Sequence, residues 1–288
     1  MTEAIPDQPI SRRARRAGGR PNVFGGFLAL IWLTIILVPL WYMLEGSLRS
    51  REGYLDGTFL AFPSAPTLDA YRRALDSGFT TYLVNTVIIT VATVGIVLLV
   101  TIPASYAIAR SPSRSVQLGF SLMLAGLAIP AQAVIVPLYL MMTKAYLYNS
   151  LLGVILPTAA FALPVAVLVL SNALRDVPKE LYEAMTLDGC GPWGLLWRLV
   201  LPLARPAIST VGVYTAINAW NGFLFPLILT QDDDKRVLTL GLFNFQGQFG
   251  TDFPALLAAI VLSGLPIFVI YVFGRRQLVS GLTAGAGK

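Results

Sequence analysis

The chain has 288 residues, of which 56% are hydrophobic and 12% charged, and a formal charge of +6. A soluble domain carries about twice that charged fraction. There is no histidine and one cysteine, Cys190, which excludes imidazole acid–base chemistry, the commonest metal ligand and an internal disulfide framework.

Six stretches, residues 23–44, 82–109, 115–143, 145–174, 206–231 and 253–274, contain no Asp, Glu, Lys or Arg. Each exceeds the roughly 20 residues that cross a bilayer as a helix. Backbone groups in lipid must be satisfied within the segment, so the prediction is an all-α membrane protein with six transmembrane helices. The leader, residues 1–22, contains Arg12, Arg13, Arg15, Arg16 and Arg20. It is predicted to be disordered, and its basic charge suits anionic lipid headgroups rather than nucleic acid. The 23–44 run is longer than a signal core and is taken as the first span. With six spans, the side holding both termini collects fourteen Lys/Arg and six acids, against seven and nine on the other side. That asymmetry predicts cytoplasmic termini.

A long external loop follows the first span, dotted with Gly53, Gly57, Pro63 and Pro66, and residues 67–75 suit a short surface helix. Residues 110–114 form a short cytoplasmic loop and residues 144–149 an external turn. The fifth span ends before Asp232, Asp233 and Asp234, a run that reads as a solvated face. Pro39, Pro103, Pro130, Pro137, Pro157, Pro164, Pro226 and Pro266 lie inside spans. Each removes a helix hydrogen bond, and serves either ordinary bending or a hinge.

Residues 175–206 are the most informative segment. Pro178 suits a helix start, Glu180 and Glu183 suit its positive end, and Gly189 can supply a left-handed cap. Pro192 can open a second helix, in which Trp193, Leu196, Trp197 and Val200 recur at i, i+3, i+4 and i+7 as an apolar stripe. The result is a cytoplasmic helix–turn–helix. On physical grounds it fits equally a docking surface for a partner and a pair of helices anchored in headgroups.

Glu183-Ala184-Met185, Asp188-Gly189, Leu201-Pro202 and Pro206 resemble the EAA motif of binding-protein-dependent ABC importer permeases, with Met185 and Cys190 where the motif has alanines. Residues 276–288 resemble the tail of maltose-type carbohydrate permeases, as do Trp220-Asn221 and the stretch Pro66-Thr67-Leu68 with Tyr71-Arg72. Gly222 departs from the acidic residue that often follows Trp-Asn. The resemblance covers residues 24–288 and implies a type I ABC importer permease fold. Its domains are the leader, a six-helix permease domain at 23–276 with the coupling segment 175–206, and a tail at 277–288.

The resemblance also implies partners: a second homologous permease, a dimer of ATPase subunits, an extracytoplasmic substrate-binding protein, a carbohydrate substrate and membrane lipid. Glu180, Glu183, Ala184, Asp188, Gly189, Trp193, Leu196 and Trp197 would then couple to the ATPase, with Trp193 to Val200 packing the docking helix. Gly281, Leu282, Thr283 and Gly285 would touch the ATPase from the tail, the alternative being a frayed terminus. Phe243, Asn244, Phe245 and Gln246 would face the binding protein, the alternative being a solvated loop. Asn85, Asn218, Trp220 and Asn221 are substrate-path candidates, although helix–helix hydrogen bonding also explains the asparagines. The sequence has no Gly-x-x-x-x-Gly-Lys-Ser/Thr loop, so ATP and magnesium are expected in the partner and no cofactor, metal or catalytic residue in this chain. Rival readings are an ABC permease for glycerol-phosphate-like, peptide or amino-acid substrates, and an ATP-independent secondary transporter.

Overall fold

In the computed structural model, residues 23–55, 61–247 and 250–283 are described. The leader, residues 1–22, lies outside them. The chain divides into two units, residues 1–42 and 43–288. The first holds most of helix α1 (Val23–Ser47), which runs unbroken through Pro39. From Val23 to Leu44 its side chains are almost all apolar, on every side, and mostly exposed, Val23 by 77% and Trp32 by 66%. A helix with no polar face requires an apolar surrounding.

The second unit begins with the end of α1 and a short helix α2 (Arg51–Leu55). Helix α3 (Asp69–Ala74) continues through a wide turn, Leu75–Phe79, into α4 (Thr80–Arg110). The surface helix expected at 67–75 is therefore present but feeds directly into a span. Gly78, at φ +90°, takes the phase break. Helices α4 and α7 (Leu151–Arg175) form the centre, with α11 (Arg205–Trp220) against both. One face of α4 is buried through Thr86, Thr90, Thr93, Val97, Thr101 and Ser105. Such small side chains let membrane helices approach closely.

Two expected spans are broken. Residues 115–143 fold as α5 (Arg114–Ala125) and α6 (Ile135–Lys144), linked by single tight turns at Gly126–Ala128 and Ala131–Val134, with a 94° bend between the halves. The cause is Pro130, which disfavours helical geometry at Ile129; Ile129 is extended at φ −88°, ψ 111°. Residues 206–231 fold as α11, a break at residues 221–223, and α12 (Leu224–Leu229). Pro226 cannot donate to the carbonyl of Gly222 four residues earlier. The Thr239 hydroxyl donates to that carbonyl instead, at 2.7 Å.

Between α7 and α11 lie α8 (Lys179–Leu187), α9 (Pro192–Leu195), a wide turn Leu196–Val200 and α10 (Leu201–Leu203). After α12 come α13 (Leu238–Gly241), a two-residue antiparallel ribbon of β1 (Gln246–Gly247) and β2 (Gly250–Thr251), and α14 (Phe253–Thr283). Ala255, Ala258 and Ala259 of α14 pack with Ala70 and Ala74 of α3. Among the described residues, three helices are long and apolar enough to cross a membrane, Val23–Ser47, Asp69–Arg110 and Leu151–Arg175. Two bent pairs qualify together, and Phe253–Val269 is a shorter apolar stretch.

Candidate functional site: the coupling segment and the cavity at the helix break

Helix α8 starts after Pro178, which stands one position outside it at φ −53°, ψ 138°. It buries Tyr182 and exposes Glu180, Glu183, Ala184 and Asp188. Its end is closed by a paired set of backbone bonds. Gly189 N–H donates to Thr186 O and Cys190 N–H to Met185 O, each at 3.0 Å. These two bonds require a left-handed residue between them, and Gly189 has φ +81°.

The segment is fixed to the bundle from two directions. The Arg110 guanidinium at the end of α4 lies 3.4 Å from the Tyr182 ring centre, and its Nη2 donates to Val177 O at 3.0 Å. The Tyr106 ring stacks on Tyr182 at 6.2 Å. Below α8, Leu195, Leu196, Val200 and Ala204 pack with Leu170 and Leu174 of α7.

The expected Trp193–Val200 stripe is split. Leu196 and Val200 are buried, whereas Trp193 is 71% and Trp197 66% exposed. The helix widens over this stretch, where Leu201 N–H donates to Leu196 O five residues back. Leu195, Leu196, Val200 and Ala204 lie on the side packed against the bundle, and both tryptophans lie on another.

At the other end of α7, a cavity of about 360 Å³ opens at the break in α11–α12. Gln132, beside the other break, lines it with Thr158, Phe161, Tyr214, Asn218, Trp220 and Phe223. Amides, hydroxyls and aromatic faces thus meet where backbone regularity is lost. Asn218 and Asn221 donate to the carbonyls of Tyr214 and Ile217 at 2.8 and 2.9 Å, and both are exposed. Trp220 is a packing residue on its far side, with its indole N–H donating to Ser263 O of α14 at 3.3 Å. Asn85 does not line this cavity. It is 6% exposed, and its amide nitrogen donates to Asp234 O and Arg236 O, both at 2.8 Å. Its work is to hold the loop after α12.

That loop is ordered by polar contacts. Asn149 donates to the Asp232 carboxylate at 2.7 Å and accepts from the N–H groups of Gln231 and Asp232. Arg236 donates to Asn244 Oδ1, and Asn244 donates to the Tyr82 hydroxyl. Phe245 is buried in the core, which separates it from Phe243 and Gln246, both exposed. Farther along, Arg73 of α3 pairs with Asp252 at 2.9 Å. In the tail, Gly281, Leu282 and Thr283 continue the backbone of α14, and Gly285 lies outside the described residues.

Residues 101–278 match the family described as "Binding-protein-dependent transport system inner membrane component". Over 262 residues the chain is 37% identical to a putative ABC transporter permease protein, ORF2, of Caldicellulosiruptor sp. (strain Rt8B.4), covering 91% of this chain and 95% of that one. It is 32% identical over 279 residues to the diacetylchitobiose uptake system permease protein NgcG of Streptomyces coelicolor, covering 96% and 92%. Its fold is similar to that of a chain in the crystal structure of a bacterial ABC transporter involved in the import of the acidic polysaccharide alginate. The TM-score is 0.80 at 22% identity, over 88% of this chain and 95% of that one.

Proposed function

Because this chain belongs to the family of binding-protein-dependent transport system inner membrane components, a family of transport subunits, we propose that it forms half of the translocation pathway of an ATP-driven importer for a di- or oligosaccharide. A second permease of similar fold supplies the other half, an extracytoplasmic binding protein delivers the sugar, and a separate ATPase dimer carries ATP and magnesium. In this reading α1, α4, the bent α5–α6 pair, α7, the broken α11–α12 pair and α14 are six spans, and both termini are cytoplasmic.

The observation that carries the reading is α8. It holds one buried aromatic, Tyr182, under Arg110 of a span, and turns Glu180 and Glu183 outward. A displacement of α8 by a partner is passed to α4 through a contact of 3.4 Å and to α7 through the buried leucines. Glu180, Glu183, Ala184 and Asp188 are the docking face, Gly189 sets the turn, and Leu196 anchors it to α7. Gly281, Leu282, Thr283 and Gly285 are assigned to a second ATPase contact.

Carbohydrate is favoured by the relative named for diacetylchitobiose uptake. The cavity at the α11–α12 break supports it, since its aromatic faces and amides suit a sugar ring. Asn218, which lines that cavity, is assigned to the path, together with Asn221, which stands at the same break but outside the cavity. Phe243 and Gln246, with Asn244 positioning them, are assigned to the binding-protein face.

Co-purification of the ATPase subunit tests this directly. Glu183→Lys is expected to lose most of the bound ATPase while the chain stays in the membrane, and to abolish ATP-dependent sugar uptake in reconstituted vesicles. Retained ATPase with normal coupled turnover would remove the docking assignment, and uptake without ATP would favour a secondary transporter.

A further inference from the structure

Trp193 and Trp197 are expected at the ATPase contact from the family resemblance, but they stand apart from the outward face of α8 as an exposed apolar surface of their own. The segment Pro192–Leu203 meets Arg205–Trp220 at 76°. If α11 crosses the bilayer, as the proposed function holds, this segment lies almost in the plane of the membrane. One of its faces is spent on the bundle, through Leu195, Leu196 and Val200. The other presents Trp193 and Trp197, four residues apart, with Arg198 exposed beside them and Arg205 exposed at the head of α11.

Two observations choose the occupant of that face. A tryptophan can bury about 150–250 Å², so two left in water forgo a large apolar gain; indole favours the headgroup layer, where its body is in apolar surroundings and its N–H stays wet. Charge separates the segment from α8. The acids Glu180, Glu183 and Asp188 precede the turn, whereas residues 191–231 contain only Arg198 and Arg205 as charged groups. A purely basic amphipathic surface fits anionic headgroups. We propose that the Trp193–Trp197 face sits in the headgroup layer of an anionic phospholipid bilayer. It is a lipid-binding surface distinct from the ATPase-facing α8, and it holds the coupling segment at a fixed depth.

The test uses the full chain in vesicles of phosphatidylcholine and phosphatidylglycerol whose acyl chains are brominated either near the headgroup or near the methyl end. The fluorescence difference between the unmodified chain and Trp193→Phe/Trp197→Phe isolates the two indoles, and the remaining signal includes Trp32 and Trp41 of α1. The difference signal is expected to be quenched severalfold more by the shallow bromines than by the deep ones. Omitting phosphatidylglycerol should weaken that quenching, and equal quenching without it would remove the anionic preference. No quenching of the difference signal while the remaining signal is quenched would overturn the lipid surface and leave the permease reading intact. If neither signal is quenched, the membrane reading fails, and the proposal with it. Adding the co-purified ATPase subunit should leave the lipid quenching unchanged; its loss on assembly would make the tryptophans a protein contact and overturn the proposal.

Discussion

The Arg110 guanidinium is centred 3.4 Å from the middle of the Tyr182 ring, so the last residue of α4 grips the buried aromatic of α8. The same guanidinium donates to Val177 O just before α8. A desolvated cation–π contact contributes about 2 kcal/mol and a charge-assisted hydrogen bond about 1.5–3 kcal/mol. Arg110→Ala removes both. Since about 1.4 kcal/mol is tenfold in an equilibrium, amide exchange across Lys179–Leu187 should accelerate tenfold or more. Arg110→Lys keeps the charge but not the planar stack, and should fall between the two. Equal exchange in all three would show that the grip does not hold α8.

Gly189 offers a cleaner test of the turn. A Cβ built there meets nothing within 4 Å, so a substitution acts through φ +81° alone. Left-handed geometry costs roughly 1–2 kcal/mol for residues with a Cβ, and less for Asn. Gly189→Asn should retain coupled ATP turnover, and Gly189→Val should lose much of it. Equal loss in the two would place the cause in packing at the partner contact rather than in φ.

These two residues also show what was legible in the sequence. The Gly189 turn was visible because a helix end and its cap are local, only a few residues apart. The Arg110–Tyr182 grip was not, because it joins residues 72 positions apart that no periodicity connects. Asn85 looked like a polar group facing a pathway, yet it is spent on loop carbonyls 149 and 151 residues away. The prolines were visible but not their consequences. Pro103, Pro157 and Pro164 stay inside continuous helices, whereas Pro130 stands at a right-angled turn. Local chemistry removes a hydrogen bond at each, and only the surrounding packing decides which helix opens. The exposure of Trp193 and Trp197 was not legible for a similar reason: a 3.6 period marks an apolar stripe but not which part of it the bundle covers.

The break at residues 221–223 depends on a borrowed donor. Thr239 gives its hydroxyl to the Gly222 carbonyl that Pro226 leaves without a helical partner. Thr239→Val keeps the shape and removes the donor, and an unpaired acceptor costs up to about 1–3 kcal/mol where water cannot replace the donor; here the bond is half-buried. Sugar uptake should fall, while co-purification of the ATPase, assigned to the opposite end of α7, should not. Thr239→Ser should restore uptake. Loss of both uptake and ATPase binding would mean that the break supports the fold as a whole.

The buried pair Glu45 and Arg49 sets the stability of the segment after α1. Arg49 Nε donates to Glu45 Oε2 at 2.5 Å, and their side chains are 7% and 2% exposed for Arg49 and Glu45. Removing one partner of a buried pair typically costs about 3–5 kcal/mol, because the other charge stays desolvated. Arg49→Met should therefore lower the melting temperature of the detergent-solubilised chain more than any exposed charge substitution, such as Arg72→Met. Replacing both, as Glu45→Leu/Arg49→Met, removes the stranded carboxylate and should recover part of the loss. Recovery should stop short of the unmodified chain, because Arg49 also donates to Gly53 O at 3.3 Å and Ala61 O at 2.6 Å. Those carbonyls lose a donor in both variants, and each costs about 1–3 kcal/mol where water cannot replace it. A double-substitution cycle separates the two contributions: coupling of several kcal/mol between positions 45 and 49 is the ion pair, and the remainder is the tether to the loop. If the double variant melts no higher than Arg49→Met, the pair with Glu45 contributes nothing and the arginine acts through its other contacts.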